Sequence, residues 1–62
     1  MGWGEVRRAL VNGAVVTDGH GVEFGCVTGV GGNSYRVRRS DGTWAEVPEA
    51  FVAARDWYGV DA

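Results

Sequence analysis

Apolar and polar positions alternate along most of the chain, in short runs that glycines separate. A period of two is typical of β-strands that bury one face, and glycines between such runs indicate tight turns. The pattern predicts five strands, at residues 14–17, 22–30, 34–40, 43–47 and 51–53. We therefore expect an all-β chain.

The first twelve residues depart from this alternation. Three apolar residues there lie at helical spacing: Trp3, Val6 and Leu10. Asn12 followed by Gly13 is a typical helix stop. We predict a single helical turn over residues 7–11, inside an N-terminal extension of residues 1–12.

Two features of the strand pattern predict a closed sheet. The longest predicted strand has apolar residues on both faces, and Gly25 and Gly29 are positions where it can bend. Pro48 ends the fourth strand, and residues 48–50 predict a short helical turn before the last strand. Five short strands, one of them bent, are typical of a five-stranded SH3-like barrel, which we expect residues 1–62 to form as one domain.

The same pattern assigns turns and a core. Residues 31–33 predict a hairpin loop, and Asp41-Gly42 is a strong hairpin signal. On the third strand, Tyr35 is expected to face the core. Four valines are expected to point inward: Val16, Val27, Val37 and Val47.

Composition limits how such a chain can be stabilised. It has 62 residues, and Cys26 and His20 are its only cysteine and histidine. An intrachain disulfide and a four-ligand zinc site are therefore excluded. A domain of this size is marginally stable, so a closed barrel or association between chains is expected.

Charge and hydropathy exclude further classes of function. The formal net charge is -2, which argues against undirected binding to phosphate backbones. All six basic residues are arginines, so neither a Schiff base nor a Walker-type phosphate loop is expected. The apolar run at residues 14–16 is too short to span a bilayer, and no signal peptide is evident. We expect a cytoplasmic protein with no membrane partner.

The residues that could carry chemistry have simpler interpretations. Asp18, His20 and Glu23 could transfer protons, but a solvated hairpin tip is the favoured interpretation. Cys26 has no basic neighbour in sequence and is interpreted as a small buried hydrophobe. The glycine-rich segments precede strands rather than helices, so they are interpreted as turns. We expect no catalytic residue, no cofactor and no metal.

The best functional signal is a set of aromatic and basic residues. Arg36 and Arg38 share the outer face of the third strand, and Trp44 is expected to point outward beside them. Such a group occurs both on single-stranded nucleic-acid platforms and in protein interfaces. Trp57 and Tyr58 add to more large aromatics than a small core can enclose, which indicates an exposed interface.

Several short motifs resemble those of the PRC-barrel family. The resemblance rests on residues 13–19, Gly25-Cys26-Val27, Tyr35-Arg36-Val37, Val47-Pro48 and Val52. It implies an assembly or adaptor module without catalytic residues.

Two other families of similar shape share parts of the pattern. Val15-Val16, His20-Gly21 and Val47-Pro48 are similar to the Tudor-like domain by which CarD-type regulators bind RNA polymerase. Residues 25–29 and 44–48 resemble the core of type II dihydrofolate reductases. At positions 44–47 those enzymes have Val-Gln-Ile-Tyr, whereas this chain has Trp-Ala-Glu-Val, so the resemblance implies the fold without the activity.

Together these observations predict a non-enzymatic β-barrel module that binds a protein partner and self-associates. The alternative is a module that binds nucleic acid or the transcription machinery, such as RNA polymerase, through Arg36, Arg38 and Trp44. The candidate interface residues are Trp44, Arg36, Arg38, Trp57 and Tyr58.

Overall fold

The computed structural model describes residues 1–29 and 32–58. These residues form a small mixed domain, an open four-stranded antiparallel sheet with one helix before it and a shorter helix after it. The elements in chain order are α1 (Trp3–Val11), β1 (Val16–Thr17), β2 (Glu23–Gly29), β3 (Gly32–Arg38), β4 (Trp44–Val47) and α2 (Glu49–Ala53). The all-β expectation is therefore wrong, while the four central strands are confirmed.

The sheet is a simple meander in the order β1-β2-β3-β4. Consecutive strands pair antiparallel, with Phe24 opposite Val37 and Val37 opposite Ala45. Within the described residues β1 and β4 do not pair, so the five-stranded barrel is not formed there. The sheet instead buries one face under the two helices, which removes apolar area from water without closure.

Helix α1 is longer than the single turn predicted over residues 7–11. Val6 and Leu10 lie one turn apart and are both fully buried, so the helix is fixed by one apolar face. Asn12 caps its C-terminal end, and Gly13 adopts a φ of +95°, which confirms the predicted helix stop. Tertiary packing extends a helix whose first turn contains Gly4, a residue that disfavours helix locally.

Helix α2 occupies the position of the predicted fifth strand, residues 51–53, and that prediction is wrong. Pro48 has an extended backbone and caps a helix that begins at Glu49. Alanine and glutamate around Phe51 and Val52 favour helix, and the helical turn buries Val52 completely while Phe51 stays partly exposed. The short helical turn predicted over 48–50 is the start of this helix.

Strand ends and turns differ from prediction by a few residues. Residues 32 and 33 belong to β3, so the hairpin loop predicted over residues 31–33 is wrong at these two positions. Residues 30 and 31, which include the rest of that predicted loop, lie outside the described residues. The Asp41-Gly42 turn is confirmed. Its Gly42 has a φ of +89° and donates to the carbonyl of Arg39, as in a three-residue hairpin loop that ends in a bulge.

The core lies on the face of the sheet that the helices cover. It consists of Val6, Leu10, Val16, Phe24, Tyr35, Val52 and Trp57. Val37 and Val47 pack partly buried against it, as predicted, and so does Cys26. Val27 does not, because it lies on the opposite face with 46% of its surface exposed. Its predicted inward position is wrong, since neighbouring residues of a strand point to opposite faces.

Among the helices that the structure describes, none is both long enough and apolar enough to cross a membrane.

Candidate functional site

The face of the sheet opposite the helices brings Trp44, Arg36 and Arg38 together. Trp44 on β4 pairs with Arg38 on β3, and Arg36 lies two residues along the same strand. The Arg36 guanidinium carbon lies 4.8 Å from the centre of the Trp44 ring, and that of Arg38 lies 5.7 Å away. Both distances fit cation–π contacts. The predicted outward position of all three side chains is confirmed; we call them the Trp44 cluster.

Gly25 on β2 lies beneath this cluster, and we call it the floor of the cluster. It is buried and lies opposite Arg36 in the sheet. The position that a Cβ would take at Gly25 is 3.5 Å from Arg36 Nε and 3.8 Å from the Trp44 ring. The missing side chain lets Arg36 lie flat across β2. Its Nε is shielded from solvent and has no hydrogen-bond partner among the described residues.

Two carboxylates flank the cluster and balance its charge. Glu23 lies 3.7 Å from the Arg38 guanidinium, with both side chains about half exposed. Glu46 pairs with Arg36 across β3 and β4 and is exposed, and no ion pair of Glu46 occurs among the described residues. Among the described residues, two positive and two negative side chains thus lie around the half-buried Trp44.

The cluster lies on an edge strand. The N–H of Arg39 donates to the carbonyl of Thr43 at 2.7 Å, which makes these two residues a hydrogen-bonded pair. Bonded and non-bonded pairs alternate in an antiparallel ladder, so Ala45 and Val47 bond to β3. The backbone N–H and C=O groups of Trp44 and Glu46 therefore point away from β3. Within residues 1–29 and 32–58, nothing pairs with this edge.

The two remaining interface candidates lie apart from the Trp44 cluster. Trp57 is 1% exposed; its ring contacts Phe24 with centroids 5.4 Å apart, and its Nε1 donates to the carbonyl of Val52 at 2.9 Å. The expectation that Trp57 is on the surface is wrong, because α2 places it over the core. Tyr58 is 87% exposed and is not near the Trp44 ring in any described contact.

The prediction that Asp18 is solvent-exposed is wrong. Predicted as part of a solvated hairpin tip, Asp18 is buried and accepts from the N–H groups of His20 and Val22, each at 2.9 Å. Arg55 adds an ion pair at 3.0 Å. Burial alone would raise the pKa of Asp18, but these hydrogen bonds and the Arg55 charge outweigh it and the pKa lies below its ordinary value.

The Asp18 contacts connect two parts of the fold that are distant in sequence. They join the β1–β2 turn to the segment after α2, where Gly19 also donates to the carbonyl of Asp56 at 3.0 Å. The Asp-Gly-His-Gly sequence signals a turn in which an Asp side chain bonds nearby backbone. No local signal points to Arg55, which is 37 residues away. His20 stays exposed, as expected of a hairpin tip.

A second polar group lies where α1, β3 and α2 meet. Glu49 accepts from the Tyr35 hydroxyl and from Arg7 Nε, each at 3.2 Å. Burial raises the pKa of the Tyr35 hydroxyl, and the Glu49 carboxylate raises it further, so this phenol stays protonated and acts as a donor. The arrangement ties both helices to the sheet, but Arg7 and Glu49 are more than half exposed, so their ion pair adds little stability.

The chain matches no protein-family model, no curated protein sequence and no solved structure. The resemblances to PRC-barrels, CarD-type domains and type II dihydrofolate reductases therefore stay predictions.

Proposed function

We propose that this chain is a non-catalytic protein-interaction module that docks its partner on the outer face of the sheet, at the Trp44 cluster. The observation that supports this most is a half-buried tryptophan with two arginines over its ring, on a strand edge that no other described strand pairs with. Tryptophan and arginine are the residues that most often dominate protein interfaces. A cytoplasmic location remains a prediction from the sequence.

The balance of charge favours a protein over nucleic acid. Phosphate binding needs a net positive surface, whereas Glu23 and Glu46 offset the two arginines of the cluster. Arg38 is already paired with one of these carboxylates. A partner with alternating charges around an apolar contact fits this face better than a phosphate backbone.

The test compares Trp44 with a more exposed aromatic residue, Tyr58. The immobilised chain should capture a protein from the source cell, and Trp44→Ala should abolish that capture. Tyr58→Ala is the matched control, because Tyr58 is more exposed than Trp44 and lies outside the cluster. Equal capture by wild type and Trp44→Ala would contradict the proposal.

The nucleic-acid alternative is tested by titrating the chain with single-stranded oligonucleotides at low salt, following tryptophan fluorescence. We expect no saturable change. Saturable binding that weakens steeply with salt and is lost in Trp44→Ala would instead establish nucleic acid as the ligand.

A further inference from the structure

Among the described strands, none pairs with the outer edge of β4, and this edge narrows the choice of partner. Trp44 and Glu46 direct backbone donors and acceptors outward, and an unpaired strand edge readily pairs with another extended strand. The register of β4 with β3 is uninterrupted over its four residues, so no bulge twists this edge away. Pro48, directly after the strand, limits how far pairing can extend.

We infer that the partner is a second copy of this chain, and that two β4 strands pair antiparallel through their free edges with Ala45 on the two-fold axis. This inference rests on the proposed function, whose partner it names.

Backbone geometry supports this register. With Ala45 on the axis, Trp44 lies opposite Glu46 of the second copy, and Glu46 lies opposite its Trp44. Both residues direct their polar groups outward, so each pair exchanges both of its backbone hydrogen bonds. Centring the axis on Glu46 would place two carboxylates opposite each other and would set Pro48, which has no N–H, against Trp44.

Charge supports the same register. Glu46 has no ion pair among the described residues, and in the paired sheet it would lie beside the Trp44 ring on which the other copy stacks Arg36 and Arg38. The row across the interface then reads arginine, tryptophan, glutamate and arginine. Opposite charges and aromatic contacts between neighbouring strands stabilise a sheet.

The proposed dimer is a closed assembly, to which no further copies add. A two-fold interface uses the same edge from each copy, so the remaining edges of the combined sheet, counted over the described strands, are the two β1 strands. Each β1 has only two residues, which is too short to template a further strand. We therefore expect a dimer and no fibre.

The first experiment is sedimentation equilibrium of the full chain, with two matched proline variants. Glu46→Pro removes an outward N–H from the β4 edge without removing a bond to β3. Thr17→Pro removes the equivalent outward N–H from β1. The N–H of Asp18 donates to the carbonyl of Val22 at 2.9 Å, so the neighbouring N–H of Thr17 points away from β2. Wild type and Thr17→Pro should reach twice the chain mass, and Glu46→Pro should remain a monomer.

The second experiment measures amide hydrogen exchange of the wild-type chain, so it tests the dimer even if Glu46→Pro fails to fold. Amide exchange at Trp44 and Glu46 should slow as protein concentration rises, while exchange at Thr17 should not change. Trp44→Ala should weaken the dimer roughly tenfold through the loss of two symmetric cross-strand contacts.

The outcomes separate this inference from the proposed function. A monomer at every concentration overturns the second-copy inference, yet Trp44-dependent capture of another protein would still support the proposed function. A dimer with unprotected Trp44 and Glu46 amides also overturns the inference. Concentration-dependent protection of these two amides, with loss of the dimer in Glu46→Pro, supports it.

Discussion

Trp57 and Trp44 lie on opposite sides of the sheet, in contrasting surroundings. Trp57 is enclosed by the core, and its indole N–H is satisfied by the carbonyl of Val52. Trp44 is half-buried, and the guanidinium groups of Arg36 and Arg38 lie over its ring. An excess of aromatic residues therefore does not by itself mark an interface, because the groups packed against each ring determine whether it belongs to the core or to the surface.

The largest expected effect is on the helix-covered face. Trp57→Ala should destabilise the fold by about 3–5 kcal/mol, because it leaves a large cavity beside Phe24 and removes the hydrogen bond to Val52. A chain this small has little more stability than that, so we expect a largely unfolded protein by circular dichroism. A cooperative urea transition close to that of wild type would show that Trp57 is not a core residue.

The next largest effect concerns the buried carboxylate. Asp18→Asn keeps an acceptor for the two backbone N–H groups but places an amide beside Arg55, so stability should fall by about 1–3 kcal/mol. Urea denaturation measures this loss. Asp41→Asn, at the exposed turn, is the matched control and should have a much smaller effect.

The free energy of unfolding should also depend on pH through the Asp18 carboxylate. The folded pKa of Asp18 lies below its ordinary value, so the folded state holds the proton more weakly than the unfolded state. Its contribution is therefore complete at neutral pH and is lost as pH falls below about 4. Asp41, whose pKa is lowered by its hydrogen bonds to Thr43, acts in the same direction. Thermal scans between neutral pH and acid should show a smaller acid loss in Asp18→Asn than in wild type.

Two valines provide a finer comparison of the two faces. Val37→Ala, beneath the helices, should cost about 1–3 kcal/mol, whereas Val27→Ala on the outer face should change stability by less than about 0.5 kcal/mol. Urea midpoints of the two variants measure the difference. Equal losses would mean that the outer face is covered in solution.

The smallest expected effect on folding is that of Trp44→Ala. Below the concentration at which chains associate, it should lower stability by about 1 kcal/mol or less, since it removes two partly solvated cation–π contacts. The measurement is the urea midpoint in dilute protein. A loss as large as that of Trp57→Ala would make Trp44 a structural residue and remove the main support for the binding site.

The Trp44 cluster is the part of the site that the sequence predicted well. Alternation along residues 34–40 and 43–47 is enough to put Arg36, Arg38 and Trp44 on one face, because side chains in strands alternate strictly. The role of Gly25 as the floor of the cluster was not predicted. It depends on which residue of β2 lies opposite Arg36, and that register is set by pairing between strands.

The four strands, the helix stop at Asn12 and the Asp41-Gly42 turn follow from local sequence, because each depends on neighbours a few residues away. The remaining features depend on tertiary packing. Phe51 and Val52 have strand propensity, but burying Val52 and Trp57 against the sheet stabilises a helix there instead. Asp18 is buried with two local backbone N–H groups as donors, but its counter-charge comes from Arg55, which is distant in sequence. Burial and long-range pairing are properties of the packed chain, and no short segment encodes them.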